Sequence, residues 1–193
     1  MLQSNYLGQP FLVDTVANLR KNGFRGLNNE KGIYCWWFDE EITKSFIEVL
    51  NEGVVCYSSK ISLYNLRSCT FEGKEYYALY VGSASRGSIK ERLKGHINQS
   101  PTPSVIANEA LSTLRHTITA LLGIEASKGE DAVNQLMDEH CVVECWEIPQ
   151  DKIEDYEKNA IIEGACLLNI QNNNQFNNQI KNRISELRKM TNK

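Results

Sequence analysis

The segment Gly32–Phe38, with the sequence GIYCWWF, most restricts what this chain of 193 residues can fold into. Its β-branched and aromatic residues predict a buried strand, and a buried strand needs other strands beside it. Further strands are predicted over Val54–Leu66, Glu75–Gly82 and Cys141–Ile148, with a turn at Glu72–Lys74 between the first two. The middle of the fold is therefore predicted to be a small sheet.

Apolar residues at helical spacing predict the elements that surround this sheet. Ser88 and Glu91 form a capping box that marks the start of one helix, and Asp151 with Glu154 forms a similar box before another. No internal repeat and no linker is evident, so the chain is predicted to be a single α+β domain. The predicted helices run from Pro10 to Gly23, from Ile42 to Gly53, onward from Ser88, over Leu111–Leu121, over Asp131–Glu139, from Asp151 to about Leu167 and over about 178–190.

Composition excludes several classes of protein. Hydrophobic residues make up 41% and charged residues 23% of the chain, as in ordinary globular proteins and unlike fibres, coiled coils or disordered chains. No apolar run reaches the length of about 18 residues that a membrane helix needs, and the N-terminus lacks the pattern of a signal peptide. The six cysteines form no CxxC pair, and the histidines complete no zinc spacing. We therefore expect buried free thiols in a cytoplasmic protein without a membrane partner.

Charge is unevenly distributed along the chain, although the net charge is only −3. Residues 125–163 hold 12 of the 24 acidic residues, whereas Arg86–His96 carries a net charge of +3 and Ile180–Lys193 one of +4. Two basic stretches on an acidic chain could bind phosphate. Solvent-exposed helix faces would give the same pattern, so charge alone leaves both interpretations open.

One carboxylate has an unusual position. Glu157 lies four residues from both Ile153 and Ile161, and therefore within the apolar stripe of the helix predicted after Asp151. A carboxylate among apolar residues must be paired, protonated or bound to a cation. A residue at the edge of the stripe, with its carboxylate in water, fits the same periodicity, and this alternative stays open.

A second candidate region begins where the predicted strand Glu75–Gly82 ends. The loop Gly82–Gly87 consists mostly of small residues, so its amides and the following helix N-terminus could approach a phosphate, although a tight turn explains the same residues. Arg92 and His96 are four positions apart and share one face of that helix. Tyr34 and Tyr80 each lie within a predicted strand, where a tyrosine fits either the core or a site.

Five elements in a fixed order resemble the GIY-YIG nuclease superfamily. Gly32–Tyr34 is similar to the first signature tripeptide, and Tyr80–Ala84 is similar to the second tripeptide and the two residues after it. Glu91–His96 resembles the RxxxH stretch of GIY-YIG homing endonucleases. Glu157, followed twelve residues later by Asn169, resembles the Glu…Asn end of the catalytic core. The surrounding sequence is similar to standalone bacterial GIY-YIG proteins.

The resemblance covers roughly residues 30–190, and it implies the fold. A member of this family would be an α+β domain with a small central antiparallel sheet of about three strands, flanked by helices. One nuclease domain would fill 1–193 and would include a basic C-terminal helix at about 178–190. The two signature tyrosines are 46 positions apart, farther than in many family members, so residues 39–75 are interpreted as an insertion with its own helix and strands.

The same resemblance implies roles for the candidate catalytic residues. Glu157 would bind Mg²⁺ or Mn²⁺, and Arg92 would hold the scissile phosphate, since a guanidinium fork suits phosphate oxygens. Tyr34 would act as general base or orient the attacking water, and Tyr80 would support it. His96 is a second candidate for base or phosphate contact. The implied nucleic-acid-binding residues are Arg86, Lys90, Lys94, Arg115 and Asn169.

The function implied by the resemblance is that of a divalent-metal-dependent DNA endonuclease, with restriction, phage defence or a mobile element as its setting. A homodimer is expected, since one active site cuts one strand at a time. Two residue roles have alternatives, since Asn169 fits a bracing role and Arg115 fits a surface position. The whole chain also fits a nucleic-acid-binding module, or a protein-interaction domain, without catalytic turnover.

Overall fold

A five-stranded antiparallel sheet forms the centre of the described molecule, with strand order β1-β5-β2-β4-β3. A computed structural model describes residues 9–52, 60–102, 104–105, 111–173 and 178–191. The strands are β1 (Leu12–Thr15), β2 (Gly32–Asp39), β3 (Ser68–Phe71), β4 (Lys74–Ala84) and β5 (Cys141–Glu147).

Seven α-helices lie in the described part of the chain. Three short 3₁₀ turns, Leu63–Asn65, Ala126–Lys128 and Gln150–Lys152, connect some of the elements. The helices are α1 (Val16–Lys21), α2 (Glu40–Asn51), α3 (Ile89–Asn98), α4 (Thr113–Leu121), α5 (Glu130–His140), α6 (Ile153–Gly164) and α7 (Asn178–Thr191).

The sheet is covered by helices on both faces. Successive side chains of a strand point to opposite faces, so Tyr34 and Trp36 of β2 lie in one apolar cluster, whereas Ile33 and Cys35 lie in the other. Helix α6 alone supplies the helical residues of the second cluster, and the other six helices contribute to the first. The α+β class predicted from the sequence is confirmed.

The central strands and several helices were predicted correctly from local patterns. β2 and β5 match the predicted strands closely, and β4 extends the predicted Glu75–Gly82 strand at both ends. The turn before β4 is present, and its residues Glu72 and Gly73 have the positive φ angles of 49° and 81° that such tight turns use. The capping box of α3 is formed as predicted, because Ser88 accepts from the Glu91 amide and Glu91 from the Ser88 amide.

Other local predictions are wrong. The helix predicted from Pro10 begins only at Val16, because Leu12–Thr15 instead pairs with β5. α6 begins at Ile153 after a 3₁₀ turn, without a capping contact from Asp151, and it ends at Gly164 because Ala165 adopts a left-handed conformation with φ of 48°.

The strand count and the region between the signature strands also differ from expectation. Five strands are present rather than about three, because the short edge strands β1 and β3 flank the three long ones. Of the strand predicted over Val54–Leu66, residues 54–59 lie outside the described residues, and Leu63–Asn65 forms a 3₁₀ turn instead. Residues 39–75, interpreted as an insertion, contain α2 and β3, and both pack against β4.

Half of the outer edge of β4 is left open by its neighbouring strand. β3 pairs only with the first residues of β4, from Lys74 to Tyr77. Beyond that point the segment after α6 approaches the edge, where the Leu168 amide donates to the Leu79 carbonyl over 2.8 Å. The two faces of the sheet therefore meet at this edge.

Two expectations about the whole chain can be compared with the structure. No helix among the described residues is long and apolar enough to span a membrane. The five cysteines within the described ranges are free, and four of them are buried, as predicted; Cys69 is partly exposed, and Cys56 lies outside the described residues.

Candidate active site

Four of the five predicted catalytic side chains line two cavities at the open edge of β4, and the fifth, Tyr34, is buried next to them. Tyr34 and Tyr80 belong to the face covered by α3, and Glu157 comes from α6 on the opposite face. A cavity of about 380 Å³ runs along the edge and is lined by both Tyr80 and Glu157. A second cavity of about 240 Å³ is lined by Tyr80, Arg92 and His96. The fold thus brings together five residues that the sequence spreads over 124 positions.

A buried chain of hydrogen bonds links Tyr34 to α4. The Tyr34 hydroxyl lies 2.7 Å from His96 Nε2, and His96 Nδ1 is hydrogen-bonded to Ser112 Oγ. The rings of Tyr34, Trp36 and Tyr80 surround the imidazole edge-on at centroid distances of 5.4, 5.9 and 5.8 Å. His96 is therefore held in one orientation with both ring nitrogens occupied.

Burial sets the protonation states of His96 and Tyr34 in this series of hydrogen bonds. Burial, together with the nearby guanidinium groups of Arg92 and Arg115, lowers the pKa of His96 to about 3. Burial also raises the pKa of Tyr34 above its usual value, although a hydrogen bond with Arg92 acts in the opposite direction. At neutral pH both groups are uncharged, so Tyr34 can donate to Nε2 while the single imidazole proton stays on Nδ1, facing Ser112.

This burial predicts that the folded state is sensitive to acid. Below about pH 6.5 the histidine of the unfolded chain binds a proton, whereas the buried His96 of the folded protein stays neutral down to about pH 3. The free energy of unfolding therefore falls as the pH is lowered from 6.5 towards 3. At pH 5 the loss is about 2 kcal/mol. We expect urea unfolding at pH 7.5 and pH 5 to show a difference about 2 kcal/mol larger for the wild type than for His96→Gln. Equal pH dependence in both proteins would contradict a buried neutral His96.

Glu157 occupies a partly buried position at the end of the larger cavity. Its Oε2 accepts a hydrogen bond of 2.8 Å from the Ser83 hydroxyl on β4. Burial raises the pKa of this carboxyl, whereas the Ser83 hydrogen bond and the Arg92 charge lower it. The sequence left open whether Glu157 lies within the apolar stripe or at its edge. Ile153 and Ile161 are buried, whereas the carboxylate between them faces the cavity, so each interpretation is partly correct.

The donor set near Glu157 fits a cation that keeps most of its own water. Within the described ranges there is no group of three or more acidic, histidine or cysteine side chains that could hold a metal. One carboxylate is nevertheless sufficient for Mg²⁺, which dehydrates reluctantly and is often bound through one or two carboxylates. A bound cation would also offset the cost of burying the Glu157 charge. The site therefore fits a hydrated divalent ion on a single ligand.

Asn169 braces the strand edge next to the site. Its Nδ2 donates to the Val81 carbonyl and its Oδ1 accepts from the Val81 amide, each over 2.8 Å. The side chain thus satisfies both backbone groups of a residue that lies between Tyr80 and Gly82. Because Asn169 also lines the larger cavity, the bracing position does not remove it from the site.

Exposed cations extend from the site along α3 and the loop before it. Arg92 is exposed on α3 and lines the smaller cavity, where its charge affects Tyr34, Tyr80 and Glu157. Of the other predicted contacts, Arg86 and Lys94 are exposed and Lys90 is partly exposed. The predicted loop Gly82–Gly87 is shorter than expected, because its first three residues continue β4.

Arg115 lies apart from the other predicted phosphate contacts. It is 2% exposed, and Nη1 donates to the carbonyls of His96 and Ile97 over 3.1 and 3.0 Å. These carbonyls lie in the last turn of α3, where they lack partners within the helix. Arg115 is therefore neither at the surface nor at the cavities, and it stabilises the helix end that carries His96.

Three residues near the site were not singled out from the sequence. Ser83 holds Glu157, Ser112 holds His96, and Arg188 of α7 lines the larger cavity beside Tyr80. Ser112 had a readable signal, since it is the N-cap of α4 and accepts from the Arg115 amide. No local pattern distinguishes Arg188 from the other basic residues of α7, because only the packing of α7 on α4 directs it inward.

Comparison with known proteins identifies the family of the chain. The model of the family described as GIY-YIG catalytic domain matches residues 32–190. Among curated proteins and among solved structures, neither search finds a match. The match begins at the first residue of β2, includes Tyr34, Tyr80, Arg92 and Glu157, and covers well over half of the chain. The chain therefore belongs to the GIY-YIG nuclease superfamily, whose members share a nuclease-type catalytic domain.

Proposed function

We propose that this protein is a divalent-metal-dependent endonuclease that hydrolyses DNA phosphodiester bonds. The observation that carries the proposal is that Glu157, Arg92 and His96 line two adjoining cavities at the open edge of β4, with the buried Tyr34 hydrogen-bonded to His96. Hydrolysis of a phosphodiester needs an oriented water, neutralised phosphate charge and help for the leaving oxygen. Each need has a suitable group at this edge.

Glu157 is the residue that would hold Mg²⁺ or Mn²⁺. When bound, the ion supplies Lewis-acid stabilisation of the phosphate and of the leaving 3′ oxygen. Ser83 keeps the carboxylate in place by donating to Oε2. The other carboxylate oxygen is left for the ion.

Arg92 and Tyr34 would act on the phosphate and on the attacking water. Arg92 presents a planar guanidinium group at an exposed position, and this group binds phosphate oxygens in pairs. Because Tyr34 donates to His96 Nε2 and has a hydrogen bond with Arg92, one lone pair of its hydroxyl is left to accept a hydrogen bond from a water. Tyr34 would thereby orient the attacking water, and Tyr80 would support this arrangement.

Cations outside the two cavities would bind the rest of the DNA backbone. Arg86 lies just before α3, and Lys90 and Lys94 lie on α3, each at least partly exposed. Such contacts position the duplex without reading its sequence, and they are weakened by salt. Two copies of the chain, each with one site, would cut both strands.

A cleavage assay on supercoiled plasmid tests the proposal. We expect nicked and linear DNA with Mg²⁺ or Mn²⁺, no cleavage with EDTA, and recovery when excess metal is added. A Glu157→Gln protein purified in parallel controls for contaminating nucleases. Cleavage that persists in EDTA would contradict the metal dependence. Salt-dependent binding without cleavage in either metal would support the nucleic-acid-binding module instead. The fragment pattern would begin to distinguish restriction and phage defence from a mobile element.

A further inference from the structure

Arg188 differs from the other basic residues of α7 in where its side chain lies. It lines the cavity of about 380 Å³ together with Tyr80 and Glu157. Arg183 on the same helix pairs with Glu52 over 2.8 Å, and Lys189 is exposed. Helix α7 therefore delivers one guanidinium group, and only this one among its described residues, to the proposed active site.

The guanidinium group of Arg188 is held from behind by α4. Its Nε donates to Thr117 Oγ1 over 3.0 Å, and its Nη2 donates to the Thr113 carbonyl over 3.2 Å and also to Thr117 Oγ1. Both acceptors are uncharged, and no carboxylate among the described residues pairs with Arg188. Nη1 has no hydrogen-bond partner within the described ranges. The group is thus fixed in position while its charge stays uncompensated.

A fixed, partly buried cation beside a cavity is suited to an anion that comes from outside the protein. Arg188 is partly buried, and this burial lowers its pKa, whereas Tyr80 acts in the opposite direction. Asn169, Gln171 and Asn172 add neutral amides to the cavity wall. An anion that accepts from Nη1 would compensate the charge without displacing the contacts to α4.

The position of Arg188 relative to Arg92 indicates which anion this is. The two cavities share Tyr80 and Thr113 as a common wall, with Arg92 in one and Arg188 in the other. Both guanidinium charges lower the pKa of Tyr80, whereas only that of Arg92 affects Tyr34 and Glu157. The two cations therefore face two neighbouring anion positions on either side of Tyr80, as successive phosphates of one strand would require.

We propose that Arg188 binds the phosphate adjacent to the scissile one and so fixes the strand across Tyr80. This assignment rests on the proposed nuclease function. It makes Arg188 a substrate-binding residue of the site, distinct from the exposed cations of α3, because its partner is one particular phosphate. A hydrogen bond of this charged kind predicts that Arg188→Gln cleaves about 10- to 100-fold more slowly than the wild type.

A cycle that combines protein and DNA changes tests the assignment. After the wild-type cleavage position has been mapped, duplexes are made with an uncharged methylphosphonate at the phosphate on the 5′ or the 3′ side of the scissile one. We expect one of these two duplexes to slow the wild type by the same 10- to 100-fold, and to slow Arg188→Gln no further. Arg183→Gln, from the same helix, should respond to the modified duplex as the wild type does.

The possible results separate the assignment from its alternatives. If the methylphosphonate slows Arg188→Gln as much as the wild type at both positions, Arg188 contacts neither phosphate, and its loss acts through the packing of α7 on α4. A wild type insensitive to both modifications would also overturn the assignment. Thermal unfolding shows whether Arg188→Gln and Arg188→Lys are folded. If Arg188→Gln is not folded, Arg188→Lys takes its place in the cycle. A wild type that does not cleave unmodified DNA would instead overturn the proposed function, and the assignment with it.

Discussion

Replacement of Glu157 by glutamine is expected to lower the rate of DNA cleavage about a thousandfold. The substitution keeps the size of the side chain and its contact with Ser83 but removes the charge that is proposed to hold the divalent ion. Charge stabilisation by a metal contributes several kcal/mol to a hydrolytic transition state, and a loss of about 4 kcal/mol is a factor of about a thousand. Single-turnover cleavage of a mapped duplex at saturating protein measures the loss.

Two further measurements make this expectation specific. DNA affinity in the absence of metal should be unchanged or slightly higher, since a negative charge near the phosphates has been removed. Mg²⁺ binding, followed by calorimetry, should be lost. Glu154→Gln is the matched control, because Glu154 is exposed on the same helix and should retain cleavage. If Glu157→Gln cleaved within tenfold of the wild type, Glu157 would not be the metal ligand.

The Gly82→Ala substitution is expected to damage both stability and cleavage. A Cβ atom at Gly82 would lie 2.5 Å from the Tyr34 hydroxyl oxygen and 2.6 Å from the ring carbon that carries it. Tyr34 is fully buried, so its ring has no free space into which it can move. Overpacking of a core typically costs about 1–3 kcal/mol, and a shift of about 1 Å at a catalytic group can cost a hundredfold in rate. We expect both effects together.

The comparison with Gly95→Ala makes the steric cause testable. No atom lies within 4 Å of a Cβ at Gly95, which is in the middle of α3. Alanine there should raise the free energy of unfolding by about 0.5–1 kcal/mol. In Gly82→Ala, replacement of Tyr34 by leucine should recover the stability but not the cleavage. If Gly82→Ala were as stable and as active as the wild type, Tyr34 would not be confined by β4 as the structure indicates.

Local patterns predicted the elements whose signal lies within their own residues. β2 is buried at all eight positions, and five of its eight residues are β-branched or aromatic, so composition alone identified it. α3 was identified from its capping box, which is a contact between residues three positions apart. β1 could not be recognised in this way, because its four residues form a strand only by pairing with Val142–Cys145, about 130 positions later.

Residues of the candidate site could be predicted where they belong to a periodic pattern or to a motif of the family. Glu157 was singled out by periodicity, and the resemblance to the GIY-YIG superfamily supplied Tyr34 and Arg92. Neither argument gave Ser112 or Arg188 a role in the site, because their positions depend on how α3, α4 and α7 pack together. The same limitation affected Arg115, since helical spacing does not show that its guanidinium group is used to cap a neighbouring helix.

The open edge of β4 has a consequence for how the protein acquires its activity. Tyr34 and Glu157 are 123 positions apart, and both are needed at this edge. Contacts between residues so distant in sequence form late in folding, because the entropy of closing long loops opposes them. A chain still being synthesised, or one that has folded only in part, has its exposed cations but no assembled site. Under the proposed function, such a chain would associate with DNA without cutting it, and cleavage would be restricted to molecules that have completed their fold.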